Sequence, residues 1–222
     1  MQEPKFSILV ANYNNSKFLD DLFLSFKEQS FKNYEVVFVD DYSNDNSLEI
    51  ANNYALNDNR IRIYKNSKNL GCGKNKAKCI ELAKGEICGF VDPDDILEPN
   101  ALEVMINNFE TNPDTALVYS NFYLCNEDLS KIEKYNYDSN IPKDKVLIYG
   151  ATPNHFSAFK KENYLKTSGI NPNFKRAIDR DMVLKLEETG KTIHIPDYLY
   201  KYRINSNSIS NNQNAFKAEY WA

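Results

Sequence analysis

Apolar residues fall into two alternating rhythms through the first half of the chain. "FSILV" (6–10) is a short, nearly continuous apolar run of the kind a buried strand needs. Phe18, Leu19, Leu22, Phe23 and Phe26 then recur at helical spacing, and "YEVVFVD" (34–40) supplies a second apolar run. The pattern repeats, predicting a helix in "NSLEIANNYAL", a strand in "IRIYK", a helix in "NKAKCIELAKG" terminated by Gly85, and a strand in "ICGFV" (87–91). Four strands rich in Val, Ile and Phe, each followed by a helix, predict a parallel sheet covered on both faces.

Beyond Asp95 the rhythm loosens. A helix is predicted in "ALEVMINNF" and a strand in "TALVYSNFYLC", then a polar stretch from Asn126 to Lys145 that reads as a loop or an irregular hairpin. A last helix, "DMVLKLEETG" (181–190), precedes two short strands, "TIHIP" and "LYKYRI". The reading is an α/β chain forming one mixed-sheet domain, whose less regular second half completes a pocket. The aromatic tail "NAFKAEYWA" fits either a cover for the core or a helix continuing into a longer protein.

Open parallel sheets bind ligands beyond the carboxyl ends of their strands, where loops and helix N-termini converge. Here the first strand exits into "ANYNN", the second into "DDYSND" and the fourth into "DPDD". A single rim is therefore expected to carry Asn12, Tyr13, Asp40, Asp41, Asp92, Asp94 and Asp95.

The stretch "GFVDPDDILEPN" (89–100) concentrates carboxylates in a chain already acidic, with 27 Lys+Arg against 31 Asp+Glu. Residues i and i+2 of an extended backbone face one side, and a residue before proline is held extended, so Asp92 and Asp94 are expected to act together. Two hard carboxylates suit Mg2+ or Mn2+, which keep sites open for phosphate and water. Asp95 then points elsewhere, into the turn. The alternative is an ordinary strand-to-loop turn, where Asp and Pro are common. An EF-hand is disfavoured because Ile96 and Leu97 stand where that loop needs a ligand and a glycine, and "GCGKN" (71–75) lacks P-loop spacing.

The charge balance and the lack of any basic run argue against nucleic acid. Four cysteines without C-x-x-C spacing, and an N-terminus unlike a signal peptide, point to the cytoplasm. No apolar run reaches the roughly 20 residues of a membrane span, so membrane contact is expected to be peripheral, at its inner face.

The runs "FSILVANYNNSKFLDDLFLSFKEQSFKNYEVVFVDDYSNDNSLEI" and "AKGEICGFVDPDDILEPNAL" resemble the family 2 glycosyltransferases of GT-A fold. "AIDRDMVLKLEETG" and "YKYRINSNSIS" extend the resemblance thinly towards the C-terminus. The resemblance implies a Rossmann-like mixed sheet, with residues 1–98 as a nucleotide-binding half and 99–222 as an acceptor-binding half. It also implies transfer from a nucleotide diphosphate sugar, a UDP-sugar, to a hydroxyl of a glycan or lipid-linked glycan, in bacterial surface polysaccharide or glycoconjugate synthesis, with inversion at the anomeric carbon.

Carried over by position, Ala11 and Tyr13 would line the base pocket, Tyr13 stacking on the base, and Asp41 would hydrogen-bond it. Asp92 would reach ribose or metal and Asp94 the metal, while Lys76 and Arg203 would face the phosphates. Asp179 would be the base that takes the acceptor proton, with Ile178 replacing the usual Glu and Asp181 as fallback. Arg176 and Arg180 flank it, as binders of an anionic acceptor or as part of a solvated loop. His155 is expected either to approach the donor or acceptor or to be a packed or exposed bystander, and His194 is expected as structural, while Asn205 stands where relatives often have His. A phosphatase is disfavoured by Ile96 at the fifth position of the acidic motif, and a nucleotidyltransferase by the lack of Gly and Arg in "ANYNNSKF". An inactive homologue that keeps the nucleotide site is the third alternative.

Overall fold

The computed structural model describes residues 3–136, 155–174 and 177–204. The first half follows the apolar rhythm closely, with β1 (Phe6–Asn12), α1 (Leu19–Lys27), β2 (Tyr34–Asp40), α2 (Ser47–Asn57), β3 (Ile61–Lys65), α3 (Cys72–Leu82) and β4 (Ile87–Phe90). The second half adds β5 (Ile96–Leu97), α4 (Ala101–Thr111), β6 (Thr115–Cys125), β7 (Ile132–Tyr135), β8 (Ser157–Lys160), α5 (Lys161–Leu165), α6 (Ile178–Glu187) and β9 (Lys191–Arg203).

All nine strands join one sheet in the order β3-β2-β1-β4-β8-β6-β9-β5, with β7 paired to β6. The β3-β2-β1-β4 half is parallel throughout, and mixed pairing begins where β8 runs antiparallel to both β4 and β6. Strand alternation sorts the side chains into two cores. Phe6, Ile8 and Val10 face α1, α2 and α4, while Leu9 faces the other side with Cys79 and Ile80 of α3 and Met182, Val183 and Leu186 of α6. Helices thus cover both faces, as the strand composition predicted. Phe23 of α1 anchors the first core, 4.7 Å from the Tyr54 ring and 5.7 Å from Phe38. Truncating such a residue to Ala costs about 3–5 kcal/mol.

Two local expectations change. The third helix begins at Cys72 and ends at Leu82, with Ala83 already extended (ψ 140°), so Gly85 does not cap it. Gly85 instead lies against β1, where a Cβ would come 2.6 Å from the Ser7 backbone nitrogen. The two short C-terminal strands are one strand, β9, interrupted where its pairing skips from Ser120↔Ile195 to Asn121↔Tyr198. Pro196 lies in the skipped pair, and a residue without an N–H cannot contribute to the ladder there. The hairpin reading of the polar stretch holds for β7, antiparallel to β6, and its remainder from residue 137 lies outside the described residues.

β1 is flanked by β2 on one side and β4 on the other, and the connecting α1 and α3 pack on opposite faces. A crevice therefore opens beyond the carboxyl ends of β1 and β4, the place where open α/β sheets take ligands. Among the described residues no helix is long and apolar enough to cross a membrane.

Candidate active site

The loops that leave β1 and β2 are sewn together by short polar side chains. Asn12 Nδ2 donates to Asp40 Oδ1 at 2.9 Å, Asn14 N donates to Ser43 Oγ at 2.9 Å, and Ser16 N donates to Asp45 Oδ2 at 2.9 Å. Asn14 and Tyr42 take positive φ (55° and 67°) as the two loops turn. The stitching leaves Tyr13 standing 47% exposed at the rim, not packed on the following helix. Ala11 is half-buried and touches the α3 side of the sheet.

Asp41, expected at a ligand's base, lies inside the loop wall at 2% exposure. It accepts from Asn66 Nδ2 at 2.8 Å, Leu70 N at 2.8 Å and Gly71 N at 2.9 Å. Its carboxylate thus shapes the entry to α3, where Gly71 takes φ 86°.

The acidic motif departs from the extended geometry expected of it. Asp95 N donates back to Asp92 O at 3.1 Å, which closes a turn with Pro93 and Asp94 at its corner. Proline presets the φ of the second turn position, so the chain reverses here instead of running straight. The turn brings Asp95, not Asp94, round to Asp92. Asp92, Asp95 and His155 offer ligand atoms that all lie within 4.8 Å of one another, and they form the group among the described residues that could hold a metal ion. Asp94 is outside that group, and its backbone oxygen accepts from Arg203 Nε at 2.8 Å.

His155 reaches this place through sheet pairing. β8 is antiparallel to β4 with Gly89 opposite Ala158, and continuing that register sets Asp92 opposite His155. The imidazole is stacked on Tyr200 at 5.2 Å and tilted over Tyr202 at 4.8 Å. Burial pushes its pKa down, and Lys76 adds to this against the pull of Asp92 and Asp179. A lowered value favours the neutral, ligand-competent imidazole.

Across the cleft, α3 and α6 contribute Lys76 and Asp179. Lys76 is 6% exposed, and its Nζ lies 2.7 Å from Asp179 Oδ1, 3.6 Å from Asp92 Oδ1 and 5.0 Å from the centre of the Phe90 ring. Burial works against its charge, but Asp179 and Asp92 outweigh it and hold the ammonium well above the usual lysine range. For Asp92 burial raises and Lys76 and His155 lower, and the carboxyl ends below its ordinary value. Asp95 goes the other way, pushed well above the carboxylate range by burial and by Asp94 and Asp92, against its bonds from Arg203 N–H and the Tyr200 hydroxyl. Phe90, Ser157 and Met182 complete the cleft wall. The result is a concave site with two separately held acids, Asp92 and Asp179, bridged by one cation.

Other expected site residues are elsewhere. Arg203 is 3% exposed and sits behind the acidic turn, not on the cleft. Its guanidinium donates to Asp94 O, to Glu127 O at 2.6 Å and to Asp21 Oδ2 at 2.9 Å, and lies over the Phe18 ring. With these donors directed at protein, it clamps the turn, whereas the expectation had it facing a diphosphate. Asp181 accepts from Lys185 Nζ at 2.7 Å, one helical turn on, and does not line the cleft. His194 is in β9, with Nε2 2.9 Å from Asn121 Oδ1. Arg180 is half-buried on α6, whereas Arg176 and Asn205 lie outside the described residues. The sequence alone did not bring Asp95 and His155 to Asp92, because one depends on how Pro93 turns and the other on strand pairing that joins residues 63 positions apart.

Residues 7–185 match the model of the glycosyl transferase family 2. The chain is 30% identical over 207 residues to the chondroitin synthase of Escherichia coli, covering 93% of this chain but 30% of that protein. It is 29% identical over 223 residues to a Campylobacter jejuni GalNAc(5)-diNAcBac-PP-undecaprenol beta-1,3-glucosyltransferase, covering 96% of this chain and 70% of that one. The chain therefore spans only about a third of the chondroitin synthase. Among solved structures, Staphylococcus aureus TarS 1–349 in complex with UDP-GlcNAc superposes with a TM-score of 0.78 at 21% identity, over 92% of this chain and 60% of TarS 1–349. The Pyrobaculum calidifontis mannosyltransferase PcManGT, in complex with GDP-Man and Mn2+, gives 0.71 at 16% identity, over 94% of this chain and 59% of that one.

Proposed function

Because the chain belongs to the family 2 glycosyltransferases and has the GT-A fold, we propose that it transfers a sugar from a nucleotide diphosphate, UDP for choice, to a hydroxyl of a glycan or lipid-linked glycan. The observation that carries this reading is the Asp92–Asp95–His155 group at the carboxyl end of β4, facing Asp179 across Lys76. Two carboxylates and one imidazole fit a divalent ion that accepts both oxygen and nitrogen, and of Mg2+ and Mn2+ the imidazole favours Mn2+. A cation held there would offset the charge gathering on the departing diphosphate. PcManGT, a fold neighbour, holds Mn2+ with its GDP-sugar.

The chain's own residues would divide the remaining work. Tyr13, exposed at the rim, offers a ring for a nucleobase, with Ala11 beside it and Asp41 holding the loop wall. Residues 1–98 would in this way bind the nucleotide and 99–222 the acceptor. Asp179 takes the acceptor proton as the hydroxyl attacks. One base and direct displacement give inversion, because a diphosphate needs no second carboxyl to protonate it. A UDP donor is supported by the TarS complex, and a glycan acceptor by the chondroitin synthase and the undecaprenol-linked glucosyltransferase. Such acceptors suit bacterial surface glycan synthesis at the inner face of the membrane.

The experiment is a thermal-shift panel of nucleotide sugars with Mn2+ or with chelator, followed by turnover of the stabilising donor. One nucleotide sugar should stabilise the chain only with metal, and Asp179→Asn should keep that stabilisation while turnover falls by at least about a hundredfold. Stabilisation by none of them, or full turnover in the variant, would overturn the reading.

A further inference from the structure

Lys76 holds the candidate base rather than standing apart from it. Its Nζ approaches Asp179 Oδ1 at 2.7 Å but stays 3.6 Å from Asp92 Oδ1, beyond hydrogen-bond range. One of the two carboxylate oxygens of Asp179 is therefore already engaged and the side chain is tethered to Lys76, and a base must be within hydrogen-bond reach of the proton it takes.

Resting on the reading above, we infer that Lys76 is a switch that couples the two substrates: it restrains Asp179 until a nucleotide diphosphate draws the ammonium away, so the donor binds before the acceptor can react.

Three features of the geometry support it. Lys76 is buried, so its ammonium must keep an anionic partner and can leave Asp179 only for another. The alternative lies close by, since a diphosphate bridged to Asp92 through a cation would arrive beside an ammonium already 3.6 Å from that residue. A lysine suits the exchange because its compact charge rides on a flexible four-carbon stem and does not lock a carboxylate in a two-pronged grip. No bond is made or broken in the step; one hydrogen-bonded ion pair replaces another.

The test is carbon NMR of the full chain labelled at the aspartate carboxyl carbons, with the Asp179 signal assigned through Asp179→Asn. UDP and GDP are each titrated with Mg2+, which is diamagnetic, and binding is followed independently by the nucleotide phosphorus signals. In the wild type, the nucleotide that binds should shift the Asp179 resonance, whereas Mg2+ alone should shift Asp92 and Asp95 and leave Asp179 nearly in place. In Lys76→Met the Asp179 signal should start displaced and stay silent to the nucleotide, while the Asp92 response to Mg2+ reports an intact site. Lys76→Arg, which keeps the charge and guards against a folding defect, should grip Asp179 with two prongs, so that the nucleotide still binds but shifts the Asp179 resonance less than in the wild type. A nucleotide that binds without moving Asp179, or that moves it equally in Lys76→Met, would overturn the switch and leave the glycosyltransferase reading standing. Binding of neither nucleotide would overturn the donor-site reading itself, and the switch with it.

Discussion

The Tyr200 hydroxyl donates to Asp95 Oδ2 over 2.7 Å, joining a strand near the end of the described chain to the acidic turn 105 residues before it. The Tyr200 hydroxyl oxygen in turn accepts the Asp92 backbone N–H at 3.1 Å. Asp95 Oδ1 takes the Arg203 N–H at 2.7 Å, so β9 holds the turn from behind at two points. Tyr200→Phe should cost about 1–3 kcal/mol, because it strips a buried acid of a donor without changing packing volume. Second-sphere loosening of this kind should weaken Mn2+ binding by about tenfold or more. Chemical denaturation and Mn2+ calorimetry read the two effects separately.

The turn also ranks the acids. Asp95→Asn and His155→Ala should each lower Mn2+ affinity at least about tenfold, and Asp94→Asn should change it by less than about threefold. Electron paramagnetic resonance of free Mn2+ measures all three. The reverse ranking would return the metal to an Asp92/Asp94 pair.

Glu35 is expected to set an acid limit on stability. It is 4% exposed on β2 and accepts from Ser7 Oγ at 2.7 Å, from Lys84 N and from Arg62. Burial pushes its pKa up, but the bonds from Ser7, Lys84 and Arg62 outweigh this and hold it below 4.5. A depressed folded-state pKa contributes stability that is present above the unfolded value, near 4.3, and is lost as pH falls through the folded value. The melting temperature of the wild type should therefore drop below about pH 4.3. Glu35→Gln should be less stable by about 2 kcal/mol at neutral pH and lose that part of the acid dependence.

Gly85 should not tolerate a methyl group. A Cβ there would stand 2.6 Å from Ser7 N and 2.7 Å from Ser7 Oγ, and backbone of a central strand cannot yield. Gly85→Ala should cost about 1–3 kcal/mol in denaturant unfolding. Gly71, at the entry to α3, would respond differently, since it has open space about it and would suffer only from its φ of 86°.

The first half of the fold was legible because its strands and helices are local. Val36 to Val39 form a strand whatever lies beside them, and Leu22, Phe23 and Phe26 share one face of any helix they join. The rim was legible for the same reason, as strand ends place Asn12, Tyr13 and Asp92 where chains leave the sheet. The surroundings of Arg203 were not legible, because its three protein acceptors come from α1, the acidic turn and the loop before β7, far apart in sequence.

By itself the sequence determined the alternation of elements, the acids at the strand ends and the family to which those motifs point. Only the tertiary structure decided which acids meet. Pro93 turned the chain so that Asp95 joined Asp92, the β4–β8 register delivered His155, and the packing of α3 beside α6 set Lys76 between Asp92 and Asp179. Periodicity and motif spacing act over a few residues, whereas these contacts depend on long-range pairing and on which charges must be buried together.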